Sequence, residues 1–295
     1  MKLIDRFNRV HDYLRISLTD KCNLNCIYCN PKNLQRTLIN QTELLSNEEL
    51  LRLVKIFLQS FEVRKIRFTG GEPLARKDFL QLFEEVGRLK KDYDFEIGLT
   101  TNGTLLKENL EALKKFWFNK LNISLDSLDP NKFTAITGSD SLHSVLRSID
   151  KALSLKFAPL KLNAVIIRNI NDDEILDFIE FIKDKDMNIR FIEFMPFTNN
   201  AWSKDGFISS SEIRNIIEQK YQLKTLDEKL SLVSKDYELI GYKGKISFIS
   251  SISDHFCDSC NRLRITAKGK MKLCLFSNGE NEIDFRRIFR EEKLS

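Results

Sequence analysis

The sequence predicts an α/β protein built on a parallel sheet, and two observations carry that reading. Short apolar, β-branched runs alternate about six times with amphipathic segments of helical period. The 295 residues, 42% hydrophobic and 30% charged, have globular proportions that exclude disordered, collagen-like and coiled-coil classes. A chain of this length buries about 75% of its unfolded surface without covalent staples. The strand-like runs are 13–19, 65–69, 95–100, 120–125, 160–167 and 188–195. Helical segments follow at 46–61, 77–91, 107–118, 141–155 and 172–186. The first opens on a capping box, Ser46 with Glu49 three residues on. Such alternation implies right-handed βαβ units, in an open doubly wound sheet or a full or partial TIM-type barrel, with the ligand at the carboxyl ends of the strands. After about residue 197 the pattern changes to a helix near 209–220, a hairpin through Gly241 and Gly244, and a β-like pair around Lys268 and Gly269. The expected division is a barrel region, 1–200, and a smaller C-terminal region, 201–295.

Charge and targeting signals narrow the setting. With 47 Lys and Arg against 42 Asp and Glu the net charge is +5, too low to compel polyanion binding. Neither a P-loop nor interleaved basic and aromatic patches occur, so no nucleic-acid partner is expected. No run approaches the roughly 18 apolar residues of a membrane span, and MKLIDRFNRVHDYLR lacks a signal-peptide core. The expectation is a cytoplasmic protein without a membrane partner. Six Cys in a reducing compartment call for a metal or redox explanation, and they fall in two triplets, one near each end.

Cys22, Cys26 and Cys29 form CNLNCIYC directly after the first strand. Three thiolates on one loop suit a [4Fe–4S] cluster whose fourth iron stays open to a small molecule. Structural zinc is the bland alternative, but zinc sites favour CxxC pairs and four ligands. Tyr28 is placed to cover an adenine. RFTGGEP ends the second strand, where Gly70 and Gly71 permit close backbone approach, and Glu72 and Pro73 are suited to orient an ammonium and fix the turn. The second triplet is Cys257, Cys260 and Cys274, for which His255 would complete a Cys3His zinc set. Against zinc stand Arg262 and Arg264, alternating on a β-like run so that both guanidinium groups face one way. Paired guanidinium groups suit phosphate. Arg15, Arg67 and Lys161 occupy other strand positions and make a polyphosphate substrate the natural complement.

The cysteine loop and the GGE segment together resemble the radical S-adenosylmethionine (SAM) superfamily over roughly residues 10–200. That resemblance implies a partial (βα)6 TIM-type barrel, with a smaller C-terminal region carrying a second Fe–S cluster. It also implies SAM chelated on the open iron, Gly71 contacting its amine, and cleavage to a 5′-deoxyadenosyl radical. A closer resemblance, to the GTP 3′,8-cyclases of molybdenum cofactor biosynthesis, runs through LRISLTDKCNLNCIYC, IRFTGGEPL, GLTTNG, NISLDSLD, FTAITG, LKLNAVIIRNIN, RFIEFMP and FCDSCNRLRITAKGKMKLCLF. It implies SAM contacts at Tyr28, Gly71, Ser124 and Met195, and GTP contacts at Arg15, Arg67, Thr100, Lys161, Arg262 and Arg264. Two [4Fe–4S] clusters would flank one cavity, the second on Cys257, Cys260 and Cys274 facing the guanine. The implied reaction moves from hydrogen abstraction at ribose C3′ to bond formation at guanine C8. Implied partners are GTP, a low-potential electron donor, the downstream cyclic pyranopterin monophosphate synthase and, as a possible assembly, a homodimer. His11, His143 and His255 are expected to be structural or exposed. Family members continue past the CLF segment to a Gly-Gly tail that enters the active site, so with Ser295 last the expectation is a site without that tail and altered turnover. Two other readings stay open: a radical SAM peptide maturase with an auxiliary cluster, and a zinc-containing GTP-binding module.

Overall fold

A computed structural model of the protein describes residues 1–29, 39–118, 120–196, 200, 202–226, 233–276 and 282–291. Strand and helix alternate as the hydrophobic pattern requires. The strands β1 (Tyr13–Ser17), β2 (Lys65–Thr69), β3 (Glu96–Thr101), β4 (Lys120–Ser124), β5 (Leu160–Ile166) and β6 (Met187–Glu193) lie side by side in chain order. Every neighbouring pair among them is parallel. The helices between them are α1 (Asn47–Phe61), α2 (Phe79–Arg88), α3 (Leu110–Lys115), α4 (Pro130–Thr137), α5 (Leu142–Ser154) and α6 (Ile175–Phe181). The capping box of α1 is present in full: Ser46 Oγ accepts from the Glu49 amide at 3.2 Å and Glu49 Oε2 from the Ser46 amide at 2.7 Å. Helix α4 has no counterpart among the expected helices. Asp129 caps it, Pro130 fills its first turn and Gly138 ends it at φ 73°, but its β-branched Thr134, Ile136 and Thr137 hide the helical period.

The C-terminal strands join the same sheet at both edges. They are preceded by α7 (Ser210–Glu218) and comprise β7 (Leu223–Thr225), β8 (Lys235–Leu239), β9 (Lys245–Ile249), β10 (Arg262–Ile265), β11 (Lys270–Lys272) and β12 (Ile283–Asp284), with α8 (Phe285–Arg290) last. The order across the 12-stranded sheet is β12-β11-β10-β1-β2-β3-β4-β5-β6-β9-β8-β7. The expected hairpin is β8 with β9, and the expected second pair is β10 with β11. What local sequence did not announce is that β9 runs parallel to β6 and β10 parallel to β1. Arg190 on β6 lies close enough to Tyr13 on β1 and Arg262 on β10 for their charges to act on it. The sheet is therefore rolled, with those strands facing one another, and residues 250–261 cross its open side from the end of β9 to the start of β10. Glu193, fully buried at the end of β6, anchors this crossing. Its carboxylate accepts from the amides of Ile252 (2.8 Å) and Ser253 (3.0 Å), and from the Ser210 amide (2.8 Å) at the start of α7.

The apolar core lies outside the barrel, between sheet and helices. Leu14, Ile16, Ile66, Phe68, Leu99, Leu121 and Ile123 pack outward against buried faces such as Leu50, Leu53, Val54 and Phe57 of α1. Phe83 of α2 stacks on Phe118 with ring centroids 4.2 Å apart and meets Phe68 at 5.2 Å. Because side chains alternate along a strand, the positions between these point inward. Among the described residues, no helix is long and apolar enough to cross a membrane.

Candidate active site

The inward positions are polar and strongly cationic. Register places Arg264, Arg15, Arg67 and Gly98 side by side across β10, β1, β2 and β3. One layer away come Thr100, Asn122, Lys161 and Asn188 across β3 to β6, and beside these Asn163, Arg190 and Ser247. An ordinary TIM-type barrel fills this space with branched apolar side chains. Here five of the six expected substrate contacts, Arg15, Thr100, Lys161, Arg262 and Arg264, share the interior with two residues the sequence did not single out, Tyr13 and Arg190. Arg190 lies in RFIEFMP, and strand alternation alone would have turned it inward with Asn188. Arg190 gives two hydrogen bonds to Asn163 Oδ1, at 2.9 and 2.7 Å. Tyr13 could not be found locally, because its position depends on pairing with Arg262 nearly 250 residues away.

Arg67, the remaining substrate candidate, has a different local role. Its Nε donates to Tyr13 Oη at 2.7 Å and its Nη1 to the carbonyls of Leu99 (2.8 Å) and Lys120 (3.2 Å). The guanidinium lies across Gly98, where an added Cβ would come 2.7 Å from Arg67 Nη2 and 3.0 Å from the Lys120 carbonyl. It braces the barrel wall and the Tyr13 hydroxyl.

Charge without compensation dominates this interior. Burial, joined by Arg264, Arg262 and Arg67, depresses Arg15 to about 9. Burial likewise lowers Arg190 to about 10 and Lys161 to about 8, each with neighbouring cations adding to it. Burial would raise Tyr13, but Arg67, Arg15, Arg262 and Lys65 overcome it and draw the phenol down to about 7. The buried Nε of Arg15 and of Arg262, Thr100 Oγ1 and Asn122 Oδ1 have no hydrogen-bond partner among the described residues. Buried polar groups are normally satisfied, so the donors among these atoms, Arg15 Nε, Arg262 Nε and Thr100 Oγ1, leave the interior suited to an anion. The pH dependence follows. Tyr13 and Lys161 both titrate below their ordinary 10 and 10.5 when folded, so between those limits the unfolded chain binds more protons. The nucleotide-free protein gains stability as pH rises from about 7 to 10. Tyr13→Phe removes all of the rise between about 7 and 8 and its own share above that, and Lys161→Met removes only the Lys161 share above about 8. Denaturant unfolding at stepped pH measures it, and identical profiles for wild type and both variants would contradict the assignment.

The first cysteine triplet sits at the carboxyl end of the barrel, on the loop leaving β1. Its backbone is stitched to the end of β2: the Gly71 amide donates to the Thr19 carbonyl and the Glu72 amide to the Lys21 carbonyl, both at 2.7 Å. Glu72 does not face a ligand. Its fully buried carboxylate accepts from Thr101 Oγ1 (2.7 Å) and from the amides of Leu74 (3.1 Å) and Asn102 (2.7 Å). Burial outweighs these bonds and lifts Glu72 to about 7, so it locks β2 to β3 in place of the ammonium contact expected for it. Asn102 then turns Nδ2 toward Cys22 Sγ at 3.7 Å. Burial, then Asp126 and the thiols of Cys29 and Cys22, push the Cys26 thiol far up. The Cys26 sulfur therefore resists ionising unless positive charge joins it, and the irons of a [4Fe–4S] cluster would supply that charge. Among the described residues no three His, Cys, Asp or Glu converge on a single ion.

Next to this loop Tyr28 donates to Asp126 Oδ2 at 2.7 Å, and Asp126 Oδ1 accepts from the Val165 amide at 2.9 Å. Burial raises Asp126 to about 6. This link holds Tyr28 against the ends of β4 and β5, where it lines a cavity of about 260 Å³ with Ile167, Ile170, Phe194 and Gly206. Ser124 ends β4 opposite Asn163, and the Met195 carbonyl, just past β6, accepts from Asn200 Nδ2 at 2.8 Å. All four expected SAM contacts thus stand at the carboxyl ends of strands.

The second triplet lies at the other end of the same strands. Cys260 precedes β10 by two residues and Cys274 follows β11 by two, and since these strands are antiparallel both sit near the amino end of β1. Cys260 and Cys274 each act electrostatically on Arg264, and Cys260 on Arg262. Arg262 also lies over the Phe256 ring at 5.6 Å. Phe256, His255, Asp254 and Ser259 border a cavity of about 400 Å³ with Asp236 and Tyr237 of β8. One triplet thus stands at each end of the cationic barrel.

Residues 16–182 match the model of the Radical SAM superfamily. The chain belongs to the radical SAM superfamily. Its C-terminal residues 187–295 match the family described as Molybdenum Cofactor Synthesis C. The chain is 45% identical over 287 residues to the GTP 3′,8-cyclase of Thermodesulfovibrio yellowstonii, covering 97% of this chain and 88% of that protein. It is 42% identical to the mitochondrial GTP 3′,8-cyclase of Arabidopsis thaliana, covering 96% of this chain and 72% of the relative. These likenesses place it in the GTP 3′,8-cyclase family within the superfamily. It is 50% identical to molybdenum cofactor biosynthesis protein 1 of Dictyostelium discoideum over 94% of this chain, but spans only 44% of that longer relative. The crystal structure of Streptococcus suis SuiB bound to S-adenosylmethionine superposes with a TM-score of 0.67 at 16% identity, over 98% of this chain and 68% of that one. That likeness concerns the fold. Membership in the radical SAM superfamily brings SAM and a [4Fe–4S] cluster as cofactors.

Proposed function

We propose that the protein converts GTP to 3′,8-cyclo-7,8-dihydro-GTP, the first step toward molybdenum cofactor. The observation that carries the reading is the row of half-buried cations, Arg15, Lys161, Arg190, Arg262 and Arg264, between two cysteine triplets, with more positive than negative charge around it. A triphosphate supplies the missing negative charge, and each charge-assisted bond to it contributes about 1.5–3 kcal/mol. A [4Fe–4S] cluster held by Cys22, Cys26 and Cys29 would, with SAM bound, supply the one-electron chemistry that cleaves SAM and opens hydrogen abstraction from the ribose.

The chain's own residues orient and enclose. The guanidinium groups of Arg15, Arg262 and Arg264 fix the phosphates, which sets the ribose below the mouth of the barrel. Tyr28, clamped by Asp126, gives SAM an aromatic face at that mouth. The Gly71 amide is spent on Thr19, which leaves its carbonyl to accept from the SAM amine. In this reading Cys257, Cys260 and Cys274 hold a second [4Fe–4S] cluster facing the guanine. A low-potential donor delivers the electron, and the product passes to cyclic pyranopterin monophosphate synthase. The peptide-maturase and zinc-module readings find no support in the family matches, whose C-terminal part is the molybdenum cofactor type.

Anaerobic incubation with GTP, SAM and dithionite yields 5′-deoxyadenosine together with a cyclised nucleotide, resolved by mass and by acid conversion to a pterin. Deoxyadenosine formed equally well without GTP, and no new nucleotide, would sink the proposal.

A further inference from the structure

The first twelve residues precede the part of the chain matched by either family model, which begins at residue 16, yet they form a built arm. Ile4 and Val10 pair as an antiparallel bridge, and Asp5 organises the turn between them. Asp5 Oδ1 accepts from the amides of Phe7 and Arg9, at 2.9 and 3.0 Å. Asp5 Oδ2 meets Arg9 Nε at 2.7 Å, Arg9 Nη2 at 2.6 Å and the buried His11 Nε2 at 3.1 Å. The Arg9 guanidinium is thus held through two of its nitrogens by a carboxylate that is itself fixed by His11. Its remaining nitrogen, Nη1, reaches the carbonyl of Cys257, 248 residues away in sequence, at 2.5 Å. That carbonyl also accepts from the Cys260 amide at 3.2 Å, closing the short helical turn Cys257–Ser259. The charge of Arg9 therefore lies against the turn that carries two of the three cysteines, and both sulfurs act on it.

We infer that Arg9, clamped by Asp5, is a positioning residue for the second cysteine triplet, fixing the 257–260 turn and placing a positive charge beside its cluster. The second half of this inference rests on the proposal that Cys257, Cys260 and Cys274 hold a [4Fe–4S] cluster. Charge and hydrogen bonding around the cysteines set the potential of such a cluster, and a nearby cation favours the reduced, more negative form.

Two measurements separate the halves. In cluster-free protein, Arg9→Ala speeds hydrogen–deuterium exchange of the amides at 257–260 while leaving the amides of β1 to β6 as protected as in wild type. In reconstituted protein, EPR-monitored redox titration of Arg9→Ala shows a lower midpoint potential for the second cluster and an unchanged one for the first. Arg9→Lys keeps a charge and recovers part of the potential. Asp5→Ala reproduces the Arg9→Ala exchange pattern, and the double variant adds nothing to it. Exchange at 257–260 equal to wild type in Arg9→Ala overturns the tether, and an unshifted second potential overturns the electrostatic role. Wild-type protein that binds about four irons instead of about eight would count against the second cluster itself, while the exchange result still decides the role of Arg9.

Discussion

Arg15→Met makes the nucleotide-free protein melt at a higher temperature and bind GTP at least tenfold more weakly. Both halves have one cause. Arg15 is half-buried in the middle of the inward cationic row, its buried Nε has no partner among the described residues, and Arg264, Arg262 and Arg67 all press on its charge. In the empty barrel that charge is a cost, because a cation out of water needs an opposite charge or a full set of hydrogen bonds. Methionine keeps the length and apolar stem and removes the repulsion. Replacing buried ionic groups with apolar ones of similar volume stabilises by up to about 4 kcal/mol, and each kcal/mol raises the melting temperature by about 2–4 °C for a chain of this order. With GTP bound the sign reverses. The lost charge-assisted bond, about 1.5–3 kcal/mol, is a factor of about 10–150 in affinity. Calorimetry of unfolding and of GTP binding on the same preparation measures both halves. A variant that melts lower and binds GTP as wild type does would mean that Arg15 is a structural charge with no part in the substrate site.

This opposition between stability and binding also explains which parts of the site were legible in sequence. The cysteine triplets were, because ligand spacing on a loop is local: Cys22, Cys26 and Cys29 fall within eight residues. The parallel barrel was legible for a similar reason, since each strand and helix carries its own period. Arg262 and Arg264 were legible because two cations on one face of a strand break the apolar alternation. Arg190 stands alone between Ile189 and Phe191; alternation turns it inward with Asn188, but a single inward cation without a paired neighbour gives no sign of a ligand. Tyr13 acquires its unusual environment only through β10 and β2, whose pairing spans most of the chain. For the same reason the sequence does not reveal that β9 and β10 close opposite edges of the barrel, or that 250–261 crosses its open side. Glu72 shows the opposite error: a charged residue inside a recognisable motif suggested a ligand contact, yet burial and three hydrogen bonds hold it as a brace. Residue type and motif announce chemistry, but only burial and partners say whether the chemistry faces the ligand or the fold.

The Gly71→Ala variant loses the iron of the first site while keeping that of the second. A Cβ at position 71 would lie 2.1 Å from the Lys21 carbonyl oxygen, 2.5 Å from its carbon and 2.7 Å from the Asp20 carbonyl oxygen. All three are backbone atoms, so no side chain can rotate away, and the loop must move. The same loop is held by the two 2.7 Å bonds from the amides of Gly71 and Glu72 to Thr19 and Lys21. Displacing it costs those bonds, about 0.5–1.5 kcal/mol each, on top of about 1–3 kcal/mol for overpacking. That is within the stability of a folded domain, about 5–15 kcal/mol, so the barrel survives with a lower melting temperature. Cys22, however, is the next residue after Lys21, and a shift large enough to admit a methyl group moves its sulfur relative to Cys26 and Cys29. A cluster tolerates little error in where its three thiolates stand, so with the two clusters proposed above iron falls from about eight to about four atoms per chain. Cys257, Cys260 and Cys274 lie at the far end of β1 and β10 and feel none of this displacement. Iron and sulfide analysis with EPR of the reduced protein distinguishes the sites. Full iron with an unaltered first-site signal would mean that the loop and the end of β2 separate freely, and that the glycine is there for the ligand's approach alone.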